Sequence, residues 1–346
     1  MVTMILDWLA AEFNIAQSSI QLTALAGDAS ARRYYRCVLS NTRKYIVMQA
    51  ARPLPNEFFN FINLARQMQS CGIQVPEIYK INQQLGCLLL SDFGDDLYLT
   101  VLQNNLLANE QLYSADQLYS AAFAALSAIQ KIDPQQLPVM NANYIADRLM
   151  VFKTWFLQQH LQLEIDADIE RVLADTQDLM LEVYADQPQV FVHLDYHSRN
   201  LLVLPNDNHK LPGVGVIDFQ DAMLGPITYD LVSLLQDAYI TWPRAQVERW
   251  VADYQQRAYA QGLLPRLDLP KFLRLFDLVG VHRHLKNLGV FARLYHRDGK
   301  AQYLPHMPTL IQYILAACQR YPRLAPLEKL VTSGEFIVQK FYRGIV

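Results

Sequence analysis

Between His193 and Gln220 the sequence sets an imidazole, a carboxylate, an amide and a second carboxylate at spacings that suit one reaction, transfer of a phosphoryl group to a hydroxyl. Asp195 is followed five positions later by Asn200, and Asp218 follows two short apolar runs, Leu201–Leu204 and Val214–Ile217. These runs flank Pro205-Asn-Asp-Asn208, a turn-forming cluster, so the spacing predicts a hairpin that would carry both carboxylates and the amide to one mouth. Phosphoryl transfer needs a base for the proton of the attacking hydroxyl and oxygen ligands for the magnesium ions that neutralise the phosphates. Asp195 has the position of the base; Asn200 and Asp218 have those of the metal ligands. A lone His-x-Asp would say little. The ordered set of His193, Asp195, His197 and Asn200, then strand, turn, strand and Ile217-Asp218-Phe219, makes ATP-dependent phosphorylation the leading reading.

The elements that must hold these residues follow from the rest of the chain. Its 346 residues suit two lobes, each large enough to bury a core, so no oligomer is needed for stability and a monomer is expected. Apolar residues make up 52% and charged residues 18%, which excludes compositional disorder. The formal net charge of -3 and the lack of a long basic run argue against nucleic acid as partner. Cys37, Cys71, Cys87 and Cys318 are scattered, with no metal-ligand spacing, and read as reduced thiols of a cytoplasmic protein. Residues Met1 to Phe13 read as an amphipathic surface helix and not a signal peptide, and no run reaches the ~18 apolar residues of a membrane span.

Along the chain, Ile20–Leu25, Arg32–Leu39 and Tyr45–Gln49 read as strands around the small-residue loop Gly27-Asp28-Ala29-Ser30, an arrangement that suits a lid over nucleotide phosphates. Asn56–Ser70 carries apolar residues at helical spacing, and strands are expected over Pro76–Lys80 and Gly86–Leu90. Ser91-Asp92-Phe93-Gly94 mimics a metal-binding tripeptide but stands about a hundred residues before the catalytic segment. Its place is that of a hinge between lobes, so Ser91, Asp92 and Phe93 are assigned to backbone contacts with adenine. Beyond it the pattern is mostly helical, including Ser114–Ile132, Ala146–His160 and a helix opened by Gly225-Pro226. The expected architecture is α+β and bilobal, a nucleotide-binding lobe over residues 1–92 and a helical lobe with catalytic loop and acceptor site over 93–346.

The His193–Asn200 and Ile217–Asp221 motifs resemble those of the aminoglycoside phosphotransferase and choline kinase-like superfamily over nearly the whole chain. Three longer strings, Gly27–Arg36, Asp218–Tyr239 and Arg283–Arg293 with Arg297–Lys300, resemble the bacterial anomeric N-acetylmuramate/N-acetylglucosamine kinases of cell-wall recycling. The resemblance implies a protein-kinase-like fold, ATP and Mg2+ as cofactors, and a sugar 1-phosphate as product. It implies that Asp195 deprotonates the anomeric hydroxyl, with His197 either contacting the γ-phosphate or bonding the loop backbone. It makes Asp230 a scaffold that pins the catalytic loop around His193.

One departure is visible. Strand Tyr45–Gln49 lacks the lysine that pairs with nucleotide phosphates in most kinases, and Arg32 or Arg33, with the amides of Asp28 to Ser30, is expected to replace it. Arg283, His284, Lys286 and Arg293 form a basic series fit for an acceptor carboxylate. Asp221 would accept from a sugar hydroxyl or cap the following turn. Two other readings stay open at this level: a kinase of the same fold acting on an aminoglycoside, choline or hydroxy amino acid, and a nucleotide-binding pseudokinase.

Overall fold

A computed structural model describes residues 2–25, 32–40, 42–107, 112–205 and 211–332. The chain separates into two compact units, Met1–Ala128 with Arg199–Asp221, and Ile129–Ser198 with Ala222–Val346. The class is α+β, as the sequence predicts, with one small antiparallel sheet and a largely helical remainder.

In the first unit, β1 (Ile20–Ala24), β2 (Arg33–Leu39), β3 (Lys44–Gln49), β4 (Ile78–Asn82) and β5 (Cys87–Ser91) form an antiparallel sheet in the order β1-β2-β3-β5-β4. Alternation decides the faces. In β2 Tyr35, Cys37 and Leu39 point into the core, while Tyr34 and Arg36 point to the opposite face. Helix α1 (Val2–Phe13) lays Ile5 and Leu9 over Tyr35, Cys37, Val47, Cys87 and Leu89. Helix α2 (Asn56–Ser70) buries Phe58, Phe61, Ile62, Ala65 and Met68, the i, i+3, i+4, i+7 stripe that keeps it helical. Helices α3 (Tyr98–Leu107) and α4 (Ala115–Ile129) follow.

The segment 199–221 returns to this unit as a hairpin, β7 (Leu201–Leu204) and β8 (Gly213–Val216), paired in register Leu201↔Val216. Backbone hydrogen bonds Val203 N–H to Asp96 O (2.8 Å) and Val216 N–H to Gln74 O (2.8 Å) tie both strands down. Gly215 lets the ring of Phe93 lie where a Cβ would stand 2.7 Å from it.

In the second unit, α5 (Ala142–Val151) begins at Asn141, whose side chain accepts from Tyr144 N–H, and runs into a π-helical stretch, Phe152–His160. Next come α6 (Ala167–Ala185), β6 (Gln189–Val192), β9 (Met223–Pro226), α7 (Thr228–Leu235), α8 (Arg244–Ala260) and α9 (Leu269–Asp298), then α10 (Met307–Arg320) and α11 (Ala325–Thr332). The thirty residues of α9 are buried on most sides because the π-helical stretch, α5, α7 and α10 pack around it. It ends at Gly299 (φ +68°), the left-handed cap that glycine adopts without strain. The helix expected from Gly225-Pro226 onward is α7, which starts two residues later at Thr228, while Gly225 and Pro226 themselves end strand β9 and pair with β6. At Gly225 a Cβ would meet the Met140 sulfur at 2.4 Å, so close packing and not helix entry explains this glycine.

No two of the four cysteines are bonded to each other. Among the described residues no helix is long and apolar enough to cross a membrane.

Candidate active site

In the second unit β6 delivers the chain into the loop His193–Ser198, and two buried carboxylates hold that loop. Asp230, in the first turn of α7, accepts from His193 N–H (2.7 Å) and Leu194 N–H (3.1 Å). Asp237, just past α7, accepts from Ser198 N–H (3.1 Å) and Ser198 O–H, and from Tyr239 N–H (3.1 Å). Leu194 is left with φ +79°, a conformation that costs a branched side chain roughly 1–3 kcal/mol and persists only where the surroundings over-determine it. Burial raises the Asp230 carboxyl to about 7, against the pull of its two backbone donors and Arg283.

Asp195 emerges from this loop with 42% of its side-chain surface open, though protein surrounds it closely. Burial alone would raise its carboxyl, but Lys286, His197, Arg283 and His193 together hold it below the usual carboxylate range. Arg283 NH2 and Lys286 Nζ each lie 3.9 Å from Asp195 Oδ1. His193 accepts from Asp195 N–H at Nδ1 (3.3 Å), and the His197 ring meets Tyr239 edge-on at 5.7 Å.

Of the basic series on α9, Arg283 and Lys286 therefore come to Asp195, and Arg293 stands two turns further along the helix. His284 does not join them. Its Nε2 bonds Gln236 Oε1 (2.9 Å), its ring stacks on Tyr313 at 5.0 Å, and burial holds it well below its ordinary pKa, so it is a packing residue inaccessible to a sugar.

The first unit carries the other group. Asp218 follows β8 with φ +66°, and Phe219 behind it is buried and stacks on Phe61 of α2 at 4.8 Å. Asn200 O accepts from Ile217 N–H (3.1 Å), closing the hairpin at the end that carries both proposed metal ligands. Gln220, which the sequence reading overlooks, donates from Nε2 to Asp218 Oδ1 (3.0 Å) and Asp221 Oδ2 (2.9 Å). Asp221 itself is exposed.

The loop Gly27, Asp28, Ala29 and Ser30 lies outside the described residues. At its far side Arg32 NH2 comes 3.7 Å from Asp218 Oδ1, whereas Arg33 is exposed on the alternate face of the strand. In Ser91-Asp92-Phe93 each side chain is already engaged. Ser91 Oγ accepts from Glu77 N–H (2.9 Å), and Phe93 packs on Gly215. Asp92 takes Arg36 Nε (2.6 Å) and NH2 (3.1 Å), while Arg36 NH1 reaches Asp95 (2.7 Å). A carboxylate clamped in this way is no metal ligand. The sequence signal missed here is Arg36, a cation between Tyr35 and Cys37 in the interior of β2.

The donor set near Asp218 suits magnesium. Among the described residues there is no group of three or more His, Cys, Asp or Glu side chains to hold a metal unaided. One carboxylate and one amide oxygen fit an ion that takes its remaining ligands from phosphate and water.

Comparison with known proteins bears on the family and the fold. The model of the phosphotransferase enzyme family (APH) matches residues 21–269. An N-acetylmuramate/N-acetylglucosamine kinase of Pseudomonas aeruginosa is 38% identical over 315 residues, covering 90% of this chain and 88% of the relative. Its namesake in Neisseria meningitidis is 34% identical, with 94% of each chain covered. Among solved structures, the ADP-bound aminoglycoside phosphotransferase APH(2'')-Ib superposes with a TM-score of 0.59 at 14% identity, over 90% of this chain and 98% of that one. A Plasmodium vivax ethanolamine kinase does so with a TM-score of 0.60 at 13% identity, over 87% and 83%.

Proposed function

Because the chain belongs to the phosphotransferase enzyme (APH) family, we propose that it transfers the γ-phosphoryl group of ATP to the anomeric hydroxyl of N-acetylmuramate or N-acetylglucosamine. The product would be the sugar 1-phosphate, made in the cytoplasm by a monomer during peptidoglycan recycling. What carries the reading is Asp195, an open, ionised carboxylate on a loop fixed by Asp230 and Asp237, in a chain whose relatives bear that name.

Asp195 orients the anomeric O–H and takes its proton as the oxygen attacks phosphorus. The anomeric hydroxyl is more acidic than an ordinary sugar alcohol, so a weakly basic carboxylate suffices. His197, beside it in the loop, stabilises the charge of the transferred group. Asn200 and Asp218 would hold magnesium, which when bound neutralises the phosphate oxygens. Arg32 stands in for the missing strand lysine. Its planar guanidinium binds phosphate oxygens in pairs, and its approach to Asp218 supports this role over Arg33. The backbone of Ser91 to Phe93 would meet adenine, and Gly27 to Ser30 would cover the phosphates. Arg283 and Lys286 bias the acceptor side toward anions. A cationic aminoglycoside or choline would meet the charges of Lys286 and Arg293 there, which disfavours that alternative.

The test is ATP turnover with magnesium against N-acetylmuramate, N-acetylglucosamine, choline and kanamycin, using wild type and Asp195→Asn. Turnover is expected with the amino sugars only, and D195N should lower kcat by about 10^3-fold with ATP still bound. Equal rates in D195N, or turnover confined to choline or kanamycin, would overturn the assignment.

A further inference from the structure

Among the described residues, three buried arginine nitrogens in the second unit lack a hydrogen-bond partner: the Nε atoms of Arg148, Arg283 and Arg293. A buried donor left unpaired costs roughly 1–3 kcal/mol, more when the group is charged. Three such atoms on neighbouring cations point to an anion that the described residues do not supply. Arg148 lies on α5 with its Cζ 4.7 Å from the centroid of the Tyr144 ring, a contact that leaves Nε without a hydrogen bond. Helix α5 packs against α9, with the Tyr144 ring 6.3 Å from that of His282, so Arg148 shares its field with Lys286 and Arg293 although the cations come from two helices.

The carboxylates among the described residues do not balance them. Asp195, 3.9 Å from both Arg283 and Lys286, is the reacting base in the proposed function. Asp298, near Arg293, is bonded to Arg297 Nε (2.7 Å) and NH2 (2.9 Å). Asp230, near Arg283, is taken up by two backbone N–H groups. Arg283 is itself only 3% exposed, so its part is to hold Asp195 and not to meet a ligand. Arg148, Lys286 and Arg293 are partly open.

We infer that Arg148, with Lys286 and Arg293, forms a subsite for a carboxylate carried by the acceptor, so that Arg148 is the residue that makes the enzyme prefer N-acetylmuramate over N-acetylglucosamine. The inference rests on the proposed function and deepens it. The two sugars differ by the lactyl ether of N-acetylmuramate, whose carboxylate is the one charged group that separates them. A guanidinium can meet that carboxylate with two parallel N–H donors, and Lys286 adds a point charge.

The experiment compares kcat/KM for N-acetylmuramate, its methyl ester and N-acetylglucosamine in wild type, Arg148→Met and Arg148→Lys. In wild type, esterification should lower kcat/KM by about 30-fold, the size of a lost charge-assisted pair. In R148M the ratio of N-acetylmuramate to N-acetylglucosamine should fall by a similar factor of about 30, with acid and ester used nearly equally, and R148K should recover part of the ratio. If R148M lowers both sugars in proportion, Arg148 only holds the pocket and the inference fails. Should R148M not fold, the ester still decides: wild type using ester and acid equally overturns it. Wild type that phosphorylates neither sugar overturns the functional reading and this one together, whereas wild type that phosphorylates both with an unchanged ratio in R148M overturns this one alone.

Discussion

A carboxylate as firmly ionised as Asp195 accepts a proton reluctantly, and its neighbours show why the chain tolerates this. Burial raises its pKa; Lys286, His197, Arg283 and His193 lower it further than burial raises it. The net effect keeps Asp195 charged throughout the neutral range, ready to align a hydroxyl that is itself unusually acidic. Lys286 bears the reciprocal cost. Burial lowers its pKa to about 8, with Asp195 opposing the shift and Arg283, Arg148 and Arg293 reinforcing it. Lys286 is thus charged below about pH 8 and loses that charge as pH rises through it. His282, also near Lys286, is held neutral by burial to about 4 and does not titrate in this window. The preference for N-acetylmuramate over N-acetylglucosamine should therefore be full at pH 6.5 and decline above about pH 8. Parallel pH profiles of kcat/KM for the two sugars check this, and a ratio that rises with pH would contradict it.

At the scale of elements, α9 does two jobs. It presents Arg283, Lys286 and Arg293 along one side, and its core residues let the π-helical stretch and α7 pack closely against it. The contact with the junction of α5 and the π-helix is made at Gly289, where a Cβ would stand 2.5 Å from Val151 O and 2.7 Å from Phe152 N. Backbone cannot yield as a flexible side chain can. Gly289→Ala should thus lower stability by about 2–3 kcal/mol, read as a drop in the denaturation midpoint; an unchanged midpoint would show that the helices part freely. The strands and helices with clear periodicity were legible beforehand. Helix α2 was expected over Asn56–Ser70, which is where it lies, and β2, β3 and the β7–β8 hairpin differ from their expected limits by a residue or so. The pairing of β9 with β6 was not legible, since four residues containing Gly225 and Pro226 carry no strand signal and are set by tertiary contact. Arg148 was equally silent. A single arginine on an amphipathic helix looks like a solvated side chain until the fold places it on Tyr144 and beside Lys286. Asp237 escaped for a similar reason, because its partner Ser198 is thirty-nine residues away in sequence.

On the scale of the whole molecule, the proposed chemistry is shared between two units that the chain interleaves. Asn200 and Asp218 belong to the first, with Arg32 and the clamp of Arg36 on Asp92; Asp195 belongs to the second, with Asp230, Asp237 and the α9 cations. In that proposal nucleotide recognition and sugar recognition fall to different units, and the six residues from Asp195 to Asn200 run from one into the other. The central claim is that this machinery phosphorylates an amino sugar at its anomeric oxygen. Phosphorus NMR of the product formed from ATP and N-acetylmuramate by the wild-type protein tests it most directly. The account predicts a phosphomonoester signal coupled to the anomeric proton, absent with Asp195→Asn. A phosphate coupled to the C6 protons, or turnover of ATP with release of inorganic phosphate alone, would contradict it.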